Sequence, residues 1–158
     1  MKVSVKLATH LNEVYFGGNW TASNLKQSLS DVTWKEATTQ VYDLNTIATI
    51  AHHINYYIEA VSKVLEGEPL NAKDELSFIY APIENENNWT NFLKRCWANA
   101  EKFTSLIKTI PEDKLWLDFE DKKYGDYFRN ILGIIEHNHY HLGQIVVIKK
   151  ILRYPNQG

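Results

Sequence analysis

Apolar residues recur at intervals of three and four along four long stretches of this chain, the spacing that gathers them on one face of an α-helix. The first stretch covers residues 3–30. Gly17-Gly18 interrupts it, and glycine is costly inside a helix, so a kink or break is expected there. Beyond it Leu25, Leu29 and Val32 continue the stripe, and residues 31–37 read as a turn. The second stretch opens near Asp43 or Asn45, both good N-caps, and ends before Gly67. Its stripe is Ile47, Ile50, Ile54, Tyr57, Val61 and Val64. The third follows the Asn-rich residues 85–88, carries Trp89, Leu93, Cys96, Trp97, Ala100, Phe103, Ile107 and Ile110, and is stopped by Pro111. The fourth runs from about Gly125 to Leu152, with Phe128, Ile131, Ile135, Leu142, Ile145 and Ile148 on its stripe and Pro155 just beyond.

The connections refine this picture. Some twenty residues, 67–86, separate the second and third helices, whereas a tight antiparallel hairpin needs only a handful. Such a link suits a crossover between parallel helices. Leu76, Phe78, Ile79 and Tyr80 leave room for a short strand or helix inside it, and Trp116-Leu117-Asp118-Phe119 alternates over too few residues to define a strand. The expected fold is all-α, a four-helix bundle in a single domain over residues 1–158.

Composition narrows the function classes. With 158 residues, 44% hydrophobic and 23% charged, the chain has the make-up of an ordinary globule with one core. The formal net charge is -2 and the basic residues are scattered, so there is no stripe for a phosphate backbone and nucleic acid is not an expected partner. No long uncharged apolar run suggests a membrane span and no leader segment is visible, so a cytoplasmic location is expected. A single cysteine, Cys96, allows neither an internal disulfide nor a multi-thiolate site. Cys96 falls in an apolar stripe and reads as a core thiol rather than a nucleophile.

Six histidines occur, five of them in two groups: His52-His53 on the second helix, and His137, His139 and His141 on the fourth. His137 and His141 stand four apart and so share one face with Ile134, Ile145 and Ile148, while His139 points away. At about 100° per residue, His53 falls at the edge of the buried stripe of its helix and His52 nearly opposite, in solvent. Two imidazoles one turn apart lean toward the same point, and a third from a neighbouring helix would complete an open three-histidine metal site. The alternative is a set of hydrogen-bonded core or surface histidines. Spacing does not choose the ion, since three imidazoles suit Zn, Ni, Fe or Cu.

Other residues are read more plainly. Glu136 is turned about 100° from His137 and is expected to be neither ligand nor base. Tyr56 and Tyr57 are expected as wall and core, Asn55 as solvated, Trp20 as a buried anchor or a residue at a pocket mouth, and Lys149-Lys150 as a solvated helix end. Gly143 would permit close helix approach. Gln144 is a candidate to orient a ligand or a metal-bound group, the alternative being a bond to helix backbone or packing beside Gly143.

The string His137-Asn138-His139-Tyr140-His141-Leu142-Gly143-Gln144 resembles the carboxy-terminal signature of the DinB-like (YfiT-like) metal-binding superfamily. That signature is a His, three residues, a second His, one variable residue and Gly-Gln on the last helix. The superfamily's third ligand is a His on the second helix, which His53 matches within Ala51-His52-His53-Ile54-Asn55. The resemblance implies helices in up-down-down-up order and a homodimer. It also implies a divalent cation held by His53, His137 and His141, with Zn or Ni foremost and Fe or Mn as further candidates. Some similar proteins transfer a low-molecular-weight thiol to an electrophilic small molecule. A thiol-dependent S-transferase is therefore the leading expectation, with a metal-dependent hydrolase or a non-catalytic metal-binding protein as alternatives. Tyr140 stands where many relatives carry another His, and Leu142 where they often carry Arg; if that Arg contacts an anionic substrate in relatives, its absence here argues against the same substrate.

Overall fold

The structure, a computed structural model, describes residues 2–154, which are helical with no named strand. Six α-helices are present: α1 Val3–Phe16, α2 Leu25–Leu29, α3 Trp34–Thr38, α4 Ile47–Leu65, α5 Glu86–Thr109 and α6 Tyr127–Arg153. The long ones are the four stretches that periodicity marks. α1 lies against α5 and α6, and α4 against α5, α6 and the small α3. Their buried faces meet in one apolar cluster that holds Trp89, Phe103, Leu115, Phe119 and Ile131 out of water.

Local chemistry explains where the helices begin and end. Thr46, Asn85 and Asp126 each accept a backbone N–H three residues on, satisfying a donor that the first turn leaves free at the starts of α4, α5 and α6. The cap of α4 is thus Thr46 and not Asp43 or Asn45. α1 has no such cap of its own; Glu112 reaches across from beyond α5 and accepts the amides of Val3 at 2.7 Å and Ser4 at 3.3 Å. α1 breaks at Gly17, whose φ of 109° is one that residues with a Cβ rarely adopt. The expected continuation survives only as the five-residue α2.

One expectation is corrected and two open segments are resolved. Residues 31–37 are not simply a turn: Thr33 and Glu36 form a reciprocal capping box that starts α3. The 67–86 link contains a 3-10 turn, Asp74–Phe78, laid against α4. Residues 116–119 make no strand, only an isolated bridge between Asp118 and Asp126 after a 3-10 turn at Lys114–Trp116. Pro155 lies outside the described residues.

Side-chain placement departs from expectation at four residues. Trp20 is 97% exposed in the loop after α1, with no neighbouring element over it, and is not an anchor. Asn55 is buried rather than solvated, because α4 has helices on more than one side. There it accepts from Asn99 of α5 at 3.0 Å and donates to Glu59 at 2.8 Å. His52 is half-buried, its ring 5.0 Å from that of Tyr80 in the link and 6.3 Å from that of Phe92 on α5. Lys149 is not a free helix end: its ammonium donates to the Ser28 carbonyl at 2.9 Å and to Asp31 at 2.5 Å, while Lys150 is exposed.

Candidate metal centre

α4 and α6 lie side by side, and the contact brings His53 to His137 and His141. The i,i+4 pair comes from one uninterrupted helix, so the two rings share a face without any backbone distortion. The His137 Nε2 stands 3.0 Å from the His53 Nε2 and 3.1 Å from the His141 Nε2. Nitrogens held by one ion at about 2.0–2.1 Å lie at most about 4.2 Å apart, so both separations suit shared coordination. Among the described residues this is the one cluster of three or more candidate ligands.

The partners of the outer nitrogens settle which protons the rings carry. Ser77, in the 3-10 turn of the link, gives its single hydroxyl hydrogen to the Asp74 carbonyl at 2.5 Å. Its oxygen, 2.7 Å from the His53 Nδ1, therefore accepts from that ring. Gln144 presents its carbonyl Oε1 to the His141 Nδ1 at 2.6 Å and likewise only accepts. Both rings are thus held as Nδ1–H tautomers, with the Nε2 lone pairs turned inward. This outer shell of acceptors is what metal-binding imidazoles require. The His137 Nδ1 is buried with no hydrogen-bond partner.

The three rings favour the neutral form. Burial lowers the pKa of each; for His137, with the charges of His141 and His53 adding to it, the value falls to about 4. A neutral imidazole is the form that can donate a lone pair. Aromatic neighbours fix the ring planes: Phe78 stacks on His53 at 4.6 Å, and Tyr57 stands edge-on to His53 and His137 at 5.2 and 5.3 Å. The Tyr57 hydroxyl donates to Asp74 at 2.6 Å. Burial, reinforced by that carboxylate, pushes its pKa up to about 12, so it is a poor acid at neutral pH.

A cavity of about 580 Å³ opens over the imidazoles, within the range of small-molecule sites. Tyr57 and Asp74 form part of its wall, and Tyr140, 66% exposed, stands at its edge. A second hollow of about 620 Å³, more apolar, lies on the other side of Tyr140 along Leu44, Ile50 and Val147.

No protein family, curated protein or solved structure matches this chain. The resemblance to the DinB-like superfamily therefore rests on the motif residues and the helix pattern of the sequence.

The remaining candidates fall into place around the cluster. His139 is turned away toward His10 of α1, with ring centroids 5.9 Å apart. Glu136 is exposed and outside the site. Gln144 spends its amide on side chains rather than helix backbone, its carbonyl meeting the His141 Nδ1 and its NH2 donating to the Tyr140 hydroxyl at 3.3 Å. Gly143 has nothing within 4 Å of where a Cβ would stand, so no helix approaches it closely. Leu142 is buried, out of reach of a ligand in the cavity. Cys96 is buried and its thiol pKa is raised by that burial, which leaves it in the core. Sequence reasoning missed Ser77. Its position, three residues after Asp74 in a short turn, has no periodicity to reveal it, and only the fold places it behind His53.

No helix among the described residues is long and apolar enough to cross a membrane.

Proposed function

We propose that this chain is a divalent-metal-dependent enzyme acting on a small molecule, a member of the DinB-like superfamily whose four long helices form an up-down-down-up bundle. One observation carries the reading: three imidazoles converge on their Nε2 atoms, and two of them are held by acceptors in the tautomer that leaves lone pairs facing each other. Two such lone pairs cannot satisfy one another, and His137 has one Nε2 hydrogen at most to offer. A cation at their centre satisfies all three.

The site would be open rather than closed, since three protein ligands beneath a cavity leave positions for exchangeable groups. When bound there, a divalent ion supplies Lewis acidity, favouring the thiolate of a thiol or the hydroxide of water. Thiol transfer is the leading reading, from the resemblance, with Zn or Ni as the ion; hydrolysis is the alternative. The residues themselves do the positioning. Ser77 and Gln144 hold the imidazoles, Phe78 and Tyr57 pack against their ring faces and edges, and Asp74 keeps the Tyr57 hydroxyl turned aside. A homodimer in the cytoplasm accompanies this reading, supported by the resemblance and the composition.

The test is elemental analysis of untagged protein beside single alanine substitutions. About one metal per chain is expected in the wild type, and loss of it in His53→Ala, His137→Ala and His141→Ala. His52→Ala and His139→Ala should keep it, because those rings face elsewhere. A wild type that takes up no Zn, Ni, Mn or Fe on reconstitution would refute the proposal. With metal bound, assays of thiol transfer and of hydrolysis separate the two chemistries.

A further inference from the structure

The cavity extends well past the imidazoles. Along α6 its lining runs from His141 and His137 through Ile134 and Gly133 to Asn130 and Arg129. These positions recur at three and four residues and so share one side of the helix. Arg129 precedes His137 by eight residues, about 12 Å at a rise of about 1.5 Å per residue, and helical side chains lean further toward the N-terminus. Lys123, in the 3-10 turn Lys122–Tyr124 before α6, lines the same end.

The charged side chains that line this far end, Arg129 and Lys123, are both basic. Lys123 is 3.2 Å from Asp121, but the Arg129 guanidinium has no ion-pair partner among the described residues. The carboxylate that does line the cavity, Asp74, is engaged by Tyr57 beside the imidazoles. Two glycines shape the space. A Cβ on Gly125 would come within 2.9 Å of the Arg129 Cδ, so the bare backbone there makes room for the arginine. A Cβ on Gly133 would meet nothing within 4 Å, so the middle of the floor is open.

We infer that the cavity takes an elongated small molecule with a metal-directed group at the three imidazoles and an oxyanion, carboxylate or phosphate, at Arg129 and Lys123. Its middle lies over Gly133. The planar guanidinium fork matches either oxyanion through paired hydrogen bonds, and Lys123 adds a point charge. The inference rests on the metal reading above and adds the class of ligand that the metal would meet.

Metal-anchored rulers test it. Protein loaded with cobalt(II) is titrated with suberic acid monohydroxamate, its methyl ester and the analogue ending in a phosphonate, each followed through the cobalt absorption bands. Acetohydroxamate serves as the tail-less control. One or both anionic tails should bind at least about tenfold more tightly than the ester, the scale of a charge-assisted hydrogen bond; which of them does so identifies the oxyanion. In Arg129→Gln, and further in the double variant with Lys123→Gln, that preference should fall to within about twofold, with cobalt uptake and ester binding unchanged. Gly133→Leu, a favourable change for the helix, should weaken every long probe and spare acetohydroxamate. Equal affinity for charged and ester tails, or a preference that survives the double variant, overturns this inference and leaves the metal reading standing. Failure to take up cobalt and each of Zn, Ni, Mn and Fe removes both.

Discussion

Ser77 accepts the Nδ1 hydrogen of His53 at 2.7 Å while spending its own on the carbonyl of Asp74 at 2.5 Å. The serine therefore has no choice of role, and neither has the imidazole. Gln144 does the same for His141 through its amide oxygen at 2.6 Å. Removing such an acceptor lets the ring rotate or change tautomer, which at metal sites typically costs about 10–100-fold in affinity. Ser77→Ala and Gln144→Leu should each weaken metal binding on that scale in a chelator-competition titration. Gln144→Glu keeps an acceptor in place and should restore it; a glutamate variant as weak as the leucine one would deny Gln144 its positioning role.

Two tryptophans differ sharply in what they hold. Trp89 is fully buried and its Nε1–H donates to the Val32 carbonyl at 2.7 Å, tying α5 to the segment before α3. Trp89→Phe keeps most of the apolar volume but strands that carbonyl, and should cost about 1–3 kcal/mol in denaturant unfolding. Trp20→Ala, on a side chain that is almost wholly in water, should change stability by less than about 0.5 kcal/mol.

Glu112 closes the start of α1 from a distant part of the chain. A carboxylate beside the first amides also meets the positive end of the helix dipole. Glu112→Ala should cost about 0.5–2 kcal/mol, the ordinary worth of an N-cap. Hydrogen exchange should show the loss in the first turn of α1 before the rest of the helix.

The end of α6 is moored by charge. Arg153 donates to Asp31 at 2.6 Å and to Glu36 at 2.7 Å. Its hydrogen bond, helped by Lys149, lowers the pKa of Asp31 from 3.8 to about 2. The same guanidinium, followed by the Thr33 backbone, lowers that of Glu36 from 4.5 to about 2. Carboxylates whose pKa is depressed by folding contribute their stability in full above their ordinary values and lose it as pH falls toward the folded ones. The melting-temperature gap between wild type and Arg153→Gln should therefore be widest above about pH 5 and close as pH approaches about 2. Because these groups face solvent the gap will be small, and added salt should shrink it. A gap that widens with acid would contradict the mooring.

Much of this was legible in the chain because helices write themselves into sequence. The i,i+3/i+4 stripes mark α1, α4, α5 and α6, and the pairing of His137 with His141 follows from the same geometry. The Thr33-Trp34-Lys35-Glu36 run carries the spacing of a capping box, a signal for α3 that the reading of residues 31–37 as a turn passed over. What resisted was whatever a single-face wheel leaves out. Asn55 and His52 point away from the main stripe of α4, yet α5 and the link cover them. Trp20 shows the converse, since a large apolar side chain does not by itself compel burial. Ser77, Glu112 and Arg153 act on residues 24, 109 and 117 positions away, and no local pattern records such pairings.

The stretch between α4 and α5 does two jobs on one short length of peptide. Residues 67–73 pin the link to the body, with Leu70 on the core, its amide donating to Glu120 and that of Lys73 to Tyr56, whereas 74–78 supply the acceptor behind His53 and the ring stacked upon it. Added or deleted residues in the first part would disturb those anchors alone; the same change in the second would shift the seat of the His53 ring without touching any histidine. The geometry of the histidine cluster can thus be varied by editing a connector, with both histidine-bearing helices left untouched.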